Sequence, residues 1–548
     1  MVNKEIARQF NLLANLMELH GENAFKTKAY SSAYLVLRKW EAPIIGMTKE
    51  ELDAMPGVGS SVTSKIHELV QTGKIEALEK LKAVTPEGIQ QLLSIKGLGP
   101  KKVRVIWDAL KIESPAELLY ACTENRLIKL PGFGLKTQED LKQKIQYFLD
   151  SQDSYLYGNI EEEVEIFRKK FITTFPTHRF AWAGQFATRT PVITKLECMV
   201  SPMLTTEQLA SIPGFFVERH ETDNEWMGIH EERLKLHIKS CSADEFDTVW
   251  KSMSMMQELS EKVSHAISLH WTETQPERIL EGPFAGLPVE LFDRQDIGAL
   301  SSGYWAGLVR EQDLKGILHN HSTYSDGVNT LREMAEHVRG LGYAYFAICD
   351  HSRSAFYANG LQVERVLEQM EEIDAINQHM APFKVFKGIE SDILGDGSLD
   401  YEDEILSRFD LVVASVHSNL RMDEEKAMTR LIKAIENPYT DILGHPTGRL
   451  LLARQGYPID HRKVIDACAA NGVAIELNAN PLRLDIDYTW MDYCMEKGVW
   501  VAINPDAHSR AQVGYVRFGV YAARKGGLKA SKCLNALSLE EFSSWLKR

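Results

Sequence analysis

Residues 316–326 read GILHNHSTYSD, a short apolar run that ends in His319 and His321 with Asp326 five residues on. The pattern recurs down the chain. YFAICDH (345–351) ends in Asp350 and His351, KVFKGIE (384–390) in Glu390, and LVVASVH (411–417) in His417. DILGH (441–445) ends in His445, VAIELN (473–478) in Glu476 and Asn478, and VWVAINPDAH (499–508) in Asp506 and His508. Amphipathic stretches of helical length separate several runs, among them Leu331–Leu341, Leu361–Met380 and Glu424–Asn437. Apolar strands alternating with helices predict a parallel sheet, and seven of them suffice for a closed or nearly closed barrel. In such barrels chemistry gathers where the carboxyl ends of the strands meet the loops.

Taken singly, a histidine such as His337 or His461 reads as a surface residue. Histidines at one strand end after another, joined by Asp326, Glu390 and Asp506, do not. His-x-His sets two imidazoles on one side of an extended segment, because side chains alternate with period two. Asp506-x-His508 repeats that geometry. The set contains no cysteine, so it suits zinc, manganese or iron rather than a structural thiolate site. Nine candidate ligands exceed what one ion takes, which predicts two or three divalent ions. Arg449 and Arg483 follow the strand ends at His445 and Asn478. A guanidinium there either clamps a phosphate or makes a surface ion pair; with Asn478, the two arginines are candidate substrate contacts. Asp350 either orients His351 or caps a helix.

The segments HNHSTYSDG, CDHS, GIESDIL, SVHSN, GHPTGRLL, LNANPLRLD and NPDAHS resemble the successive motifs of the PHP (polymerase and histidinol phosphatase) domain. The likeness is strongest to the form fused behind bacterial X-family DNA polymerases. It implies a distorted (β/α)7 barrel whose metal ligands are His319, His321, Asp326, His351, Glu390, His417, His445, Asp506 and His508. By that resemblance one ion takes His319, His321, Glu390 and Asp506, and a second takes Asp326, His351 and His508. A third takes His417 and His445, with Glu390 bridging. Asp326, Glu390 and Asp506 are then the catalytic carboxylates.

The chain of 548 residues predicts several domains at roughly 150 residues each. Its 44% hydrophobic and 25% charged residues are those of a globular protein. No apolar run approaches the ~20 residues of a membrane span. The start, MVNKEIARQFNLL, lacks the apolar core of a signal peptide. Seven scattered cysteines without a Cys-x-x-Cys pair fit a reducing cytoplasm. We therefore expect a cytoplasmic monomer with no membrane contact. The net charge of −14 is uneven: residues 1–150 carry 21 Lys and Arg against 18 Asp and Glu. The acidic remainder suits a site filled by cations, and the amino-terminal part is the better nucleic-acid partner.

Residues 4–40 predict amphipathic helices, with Ile6, Phe10, Leu13, Leu16 and Met17 at helical spacing. A unit then occurs three times: LDAMPGVGSSVTSKIHELV with Gly57 and Gly59, LLSIKGLGPKKVRVIWDAL with Gly97 and Gly99, and LIKLPGFGLKTQEDLKQKI with Gly132 and Gly134. Each reads as a short apolar helix, a Gly-apolar-Gly turn and a second helix bearing lysines. The three resemble helix-hairpin-helix motifs. Glycines let the backbone approach a phosphate, and the amides opening the second helix donate to it. This predicts DNA binding independent of sequence, with Lys101, Lys102 and Arg104 giving the middle copy the most favourable charge. Residues 1–80 also resemble the small amino-terminal domain of X-family polymerases. Lys65 falls at the position of the Schiff-base lysine that removes abasic sugars in some of them; as a residue it reads as a solvated helix lysine.

Ser151–Gly158 is polar and Tyr-rich, and reads as a linker. Residues 159–275 read as α/β, and by position resemble the polymerase palm. The family pattern is Gly-Ser, two arginines, then Asp-x-Asp. Here Gly184 is followed by Gln185, Ala187 and Thr188 take the arginine positions, and Lys195 and Glu197 those of the aspartates. Lys235 stands for the third carboxylate, and no Asp-x-Asp occurs in 159–275. Nucleotidyl transfer needs two cations on oxygen ligands. A lysine there repels them by on the order of several kcal/mol, so the polymerase site is expected to be dead.

The expected order is a helical domain over 1–80, a helix-hairpin-helix region over 81–150, a degenerate palm over 151–275, a connector over 276–312 and the PHP domain over 313–548. Within the last, residues 509–548 read as a helix-rich return, with SLEEF as a helix start. The function expected is a metal-dependent phosphodiesterase acting on DNA as a 3′→5′ exonuclease in repair, with an associated 3′-end cleaning or abasic-site cleaving activity. Two rivals share its residues: a small-molecule phosphatase of the histidinol phosphatase type, and a DNA-binding scaffold without catalysis.

Overall fold

The structure, a computed structural model, describes residues 3–40, 42–123, 127–150, 154–222, 224–231, 233–257, 259–260, 269–271, 276–279, 286–296, 302–452 and 455–546. The chain divides into two compact units, Met1–Gln152 and Asp153–Arg548.

The first unit is helical. Helices Asn3–Leu19 and Ala24–Leu37 bury Ile6, Phe10, Leu13 and Leu16 on one side, together with Tyr30, Ala33 and Leu37 on the other. The three hairpins follow. Lys49–Asp53 leads into Ser60–Thr72, and Glu87–Ser94 into Pro100–Leu110. The third copy departs from expectation. Its first arm is a single 3-10 turn, Leu127–Lys129, before the helix Leu135–Asp150.

The second unit begins with a helix, Tyr157–Thr174, that buries Ile160, Val164, Phe167 and Phe171. The linker expected at Ser151–Gly158 is corrected accordingly. Tyr155–Leu156 pairs with Val192–Ile193, and Tyr157 and Gly158 are already helical; residues 151–153 lie outside the described set. The helix packs on a five-stranded sheet of β1 (Arg179–Ala183), β2 (Glu197–Ser201), β3 (Phe215–Thr222), β4 (Glu225–His230) and β5 (Leu234–Ser240). Their order is β1-β2-β5-β4-β3, with only the β2–β5 pair parallel. Strands β4 and β5 alternate buried and half-exposed residues, as expected of a sheet covered on one face. Much of the connector read over 276–312 lies outside the described residues.

The barrel follows: β6 (Gly316–Ile317), β7 (Tyr345–Ile348), β8 (Lys384–Asp392), β9 (Leu411–Ser415), β10 (Ile442–Leu443), β11 (Ala474–Asn478) and β12 (Val501–Asn504). All seven are parallel and lie side by side in sequence order. One parallel bridge, Asn320 to Ala507, joins the last strand back to the first. Helices Leu331–Gly340, Val363–Met380, Glu424–Ile435 and His461–Asn471 make the crossovers. The expected start at SLEEF is a helix, Leu539–Trp545, with Ser538 and Glu541 forming its capping box. Its Phe542 stacks on Tyr345, the first residue of β7, with ring centroids 4.9 Å apart. The amino ends of the strands are thereby stoppered, and the carboxyl ends carry the polar residues. All seven cysteines are buried and free. Among the described residues no helix is long and apolar enough to cross a membrane.

Candidate metal centre

Glu390, near the end of β8, is the hub of the polar end. Its Oε1 lies 3.2 Å from His319 Nε2, 3.1 Å from His417 Nε2 and 3.0 Å from His445 Nε2. Its Oε2 lies 2.8 Å from His351 Nδ1 and 3.7 Å from His321 Nε2. Asp506 Oδ1 sits 3.0 Å from His321 Nε2 and 3.9 Å from His508 Nδ1. Asp326 Oδ1 sits 3.3 Å from His508 Nε2 and 3.6 Å from His351 Nε2. The rings of His351 and His508 flank His321, with centroids 4.5 and 4.2 Å from its own. All nine side chains singled out in the sequence meet here.

Their grouping overlaps the one the resemblance implies, with side chains shared between groups. Donor atoms close enough to share an ion come from His321, Asp326, His351 and His508, from His319, His321 and Asp506, and from His351, Glu390 and His417. His321 and His351 therefore each border two groups, and His445 reaches the centre through Glu390. Three of the nine, His319 (φ +54°), His445 (φ +23°) and Asp506 (φ +50°), have left-handed backbones. Each such residue costs about 1–3 kcal/mol and persists only where its surroundings fix it.

The donor set fits divalent cations. Buried polar atoms without a hydrogen-bond partner are rare. Yet His319 Nε2, His321 Nδ1, Glu390 Oε2 and His445 Nδ1 are all buried and without one. Burial pushes the Glu390 carboxyl up, but the imidazoles of His417, His319 and His351 outweigh it and hold it well below the carboxylate range. Burial likewise opposes charge on His417, but Glu390 and Asp392 lift it to about 10. His508, against Asp326 and Asp506, is lifted to about 9. Burial beside His508 and His351 drops His321 to about 4. Metal ligation at these imidazoles requires them to be deprotonated.

Two orienting carboxylates carried no role in the sequence reading. Glu476, fully buried, holds His319 Nδ1 at 2.6 Å and accepts from Asn478 Nδ2 at 3.0 Å and Asn504 Nδ2 at 2.8 Å. Asp392 pairs with His417 Nδ1 and accepts from Ser354 Oγ at 2.7 Å. Each fixes a tautomer that turns Nε2 inward. Asp392 stands two residues after Glu390, so the period-two rule applied to His-x-His would have found it.

One expectation is corrected, and the candidate substrate contacts acquire partners within the chain. Asp350 neither orients His351 nor caps a helix. It accepts from the amides and hydroxyls of Ser322 and Ser325 and from Gln369 Nε2, tying down the loop before Asp326. Asn478 is fully buried, donates to Glu476 and Asp506, and accepts from the Asn480 amide. Arg449 is spent on Asp487 and on the carbonyls of Arg483 and Leu484. Arg483 is as exposed as Arg449 but is tied less, its Nε 3.6 Å from Asp506 Oδ2.

In the helical unit the three turns share one geometry. Gly57, Gly97 and Gly132 have φ of +83°, +96° and +81°, a region open to glycine at little cost. The amides of Val58, Leu98 and Phe133 each donate to the carbonyl three residues back, and these apolar side chains are buried. The second glycines differ. A Cβ at Gly59, Gly99 or Gly134 would meet nothing within 4 Å, so packing within the chain does not require glycine there. Lys101 is exposed, but Lys102 Nζ donates to the Gly97 carbonyl and Arg104 pairs with Asp108. Lys65 is paired with Glu68 at 2.5 Å.

The model of the PHP domain matches residues 318–480, and models of a helix-hairpin-helix domain and a SAM-like helix-hairpin-helix tandem match residues 1–75 and 89–146. A DNA polymerase/3′-5′ exonuclease PolX of Bacillus subtilis is 33% identical over 576 aligned residues, covering the whole of both chains. This chain belongs to the PolX family. Shorter proteins match part of it. A probable phosphatase of Caldanaerobacter subterraneus is 30% identical over 200 residues, 32% of this chain and 76% of its own length. One of Acetivibrio thermocellus is 28% identical over 240 residues, 42% of this chain and 94% of its own. The PHP match in this PolX chain stops before Asp506 and His508, which the fold returns to the same centre.

The five-stranded sheet of this PolX chain shows what fills the expected nucleotide site. Gln185 Oε1 accepts from the amides of Thr194 and Lys195 at 2.7 and 3.1 Å. Lys195 Nζ pairs with Glu197 at 2.6 Å. The strand partner of Glu197 is His237, and Lys235, read at the third carboxylate position, lies two residues earlier on the same face. Among the described residues, groups of side chains with metal-ligand spacing occur in the barrel and not in this sheet.

Proposed function

We propose that this PolX chain is a divalent-metal-dependent DNA phosphodiesterase that shortens DNA from 3′ ends, and that its palm no longer transfers nucleotides. The observation that carries the reading is the convergence of His319, His321, His351, His417 and His445 on Glu390, joined by Asp326, Asp506 and His508, with buried donor atoms left unpartnered. Manganese, zinc or iron suits these donors, and two or three ions suit their number. Bound there, such ions supply a nucleophile from water at neutral pH and polarise the phosphoryl oxygens. The chain's own residues do the rest. Glu476 and Asp392 fix the tautomers of His319 and His417, and Arg483 at the rim takes a non-bridging phosphate oxygen. The helix-hairpin-helix turns leave the space beside Gly59, Gly99 and Gly134 open, so the DNA backbone can approach there without its sequence being read. The name of the Bacillus subtilis relative supports the nucleic-acid substrate and the 3′-5′ polarity.

One gel tests this: end-labelled single-stranded and gapped DNA with manganese, with and without deoxynucleotides, for the wild type, His319→Ala and Asp506→Ala. Stepwise shortening absent from both variants, and no primer extension, is the expected result. Extension by the wild type would restore the palm to function. The likeness of part of the chain to probable phosphatases favours a second reading, hydrolysis of phosphomonoesters at the same centre. Turnover of p-nitrophenyl phosphate with no effect on DNA would select it.

A further inference from the structure

The palm and barrel meet along a seam inside the second unit. Tyr157 stacks on Phe186 of the palm, with centroids 4.8 Å apart, and meets Phe518 and Tyr521 of the helix Val516–Lys525 edge-on. Arg189 lies 4.0 Å over the Tyr521 ring and 2.7 Å from Glu290, which also holds Arg524. Lys525 Nζ reaches Asp293 and the Thr188 carbonyl. Thr188 and Arg189 belong to the turn that in polymerases faces the nucleotide. Here Lys525 of the barrel's last long helix takes the Thr188 carbonyl, while the Thr188 hydroxyl bonds to Asp293 and Arg189 to Glu290.

At the edge of this seam the packing is tight. A Cβ on Gly158 would stand 2.7 Å from Pro481 Cγ, 2.8 Å from Pro481 Cβ and 3.0 Å from Phe518 Cζ. A proline ring has no rotamer by which to retreat, so a side chain at 158 presses on the turn and on Phe518 and fits only if one of them or its own helix shifts. That turn is stiff: the amides of Arg483 and Leu484 both donate to the Asn480 carbonyl, and Asn480 is tied to Asn478 Oδ1. It carries Arg483 two residues beyond Pro481 and begins beside Asn478, which donates to Asp506. We infer that the palm serves as a brace for the barrel: contact of Gly158 with Pro481 sets the position of Arg483 over the metal centre. Gly158 is thus a positioning residue. The inference rests on the phosphoesterase reading only for the use made of Arg483, and it accounts for a palm kept without its chemistry.

The test is a double-mutant cycle in the full chain with Gly158→Ala, Arg483→Ala and the pair. Two measurements are taken: hydrolysis of end-labelled DNA, and binding of inorganic phosphate by calorimetry with and without manganese. Gly158→Ala is expected to weaken metal-dependent phosphate binding and raise KM for DNA about 5- to 20-fold, with manganese content unchanged. On the Arg483→Ala background the same change is expected to have no further effect. Additive losses, or an unchanged phosphate affinity in Gly158→Ala, would overturn the brace. A wild type that binds phosphate but leaves DNA intact would sink the nuclease reading instead, while the phosphate cycle still judges the brace.

Discussion

His319 Nδ1 and Glu476 Oε2 lie 2.6 Å apart with both side chains fully buried, and no residue of the sequence between them predicts the pairing. Glu476 fixes the imidazole and supplies a negative charge that burial disfavours and His319 stabilises. Glu476→Gln keeps the shape and removes the charge. Manganese affinity is expected to fall about 10- to 100-fold, read by calorimetry on protein stripped with chelator and reloaded. Unchanged affinity would leave Glu476 a packing residue only.

The two arginines separate by what they hold. Arg449→Ala loses hydrogen bonds to Asp487 and two carbonyls. It is expected to cost about 1–3 kcal/mol of stability, seen as a lower Tm. Arg483→Ala leaves the fold intact and raises KM for DNA. Equal Tm losses in both would contradict the division.

The hairpin glycines separate in the same way. Gly97→Ala places a side chain on a φ of +96° and is expected to destabilise the helical unit by about 1–2 kcal/mol. Gly99→Leu, with φ of −76° and open space at its Cβ, is expected to leave Tm alone and weaken binding to duplex DNA. A filter-binding series over salt concentration reads the loss, since phosphate contacts set that slope. A drop in Tm for Gly99→Leu would show that its glycine is structural.

Stability should carry an acid-sensitive component from Glu290, which is 2% exposed. Burial pushes its carboxyl up, but Arg189 and Arg524 outweigh that and hold the folded value below the ordinary one. The stabilisation is therefore fully present above the unfolded value of 4.5 and is lost as pH falls through the lower folded value. The Tm gap between wild type and Glu290→Gln is expected to be widest near neutrality, where breaking such a buried pair costs ~3–5 kcal/mol, and to close in acid. A gap constant from pH 8 to pH 3 would contradict the linkage.

The barrel and its nine converging side chains were legible because both follow from local rules. Strands buried on both faces read as apolar runs, and a parallel barrel gathers strand ends at one rim whatever the loops do. The three Gly-apolar-Gly turns were legible for a similar reason, since only glycine takes their backbone at little cost. What the chain order alone left open was direction and partnership. Arg449 and Arg483 follow strand ends alike, yet one is consumed by carbonyls and the other reaches Asp506. Asp350 neighbours His351 in sequence, yet its bonds go to Ser322 and Ser325. Thr188 gave no sign that Lys525, more than 300 residues later, would take its carbonyl. Periodicity determines which face a side chain occupies; which distant group meets it there depends on how the strands are staggered and how palm and barrel dock, and only the packed chain decides that.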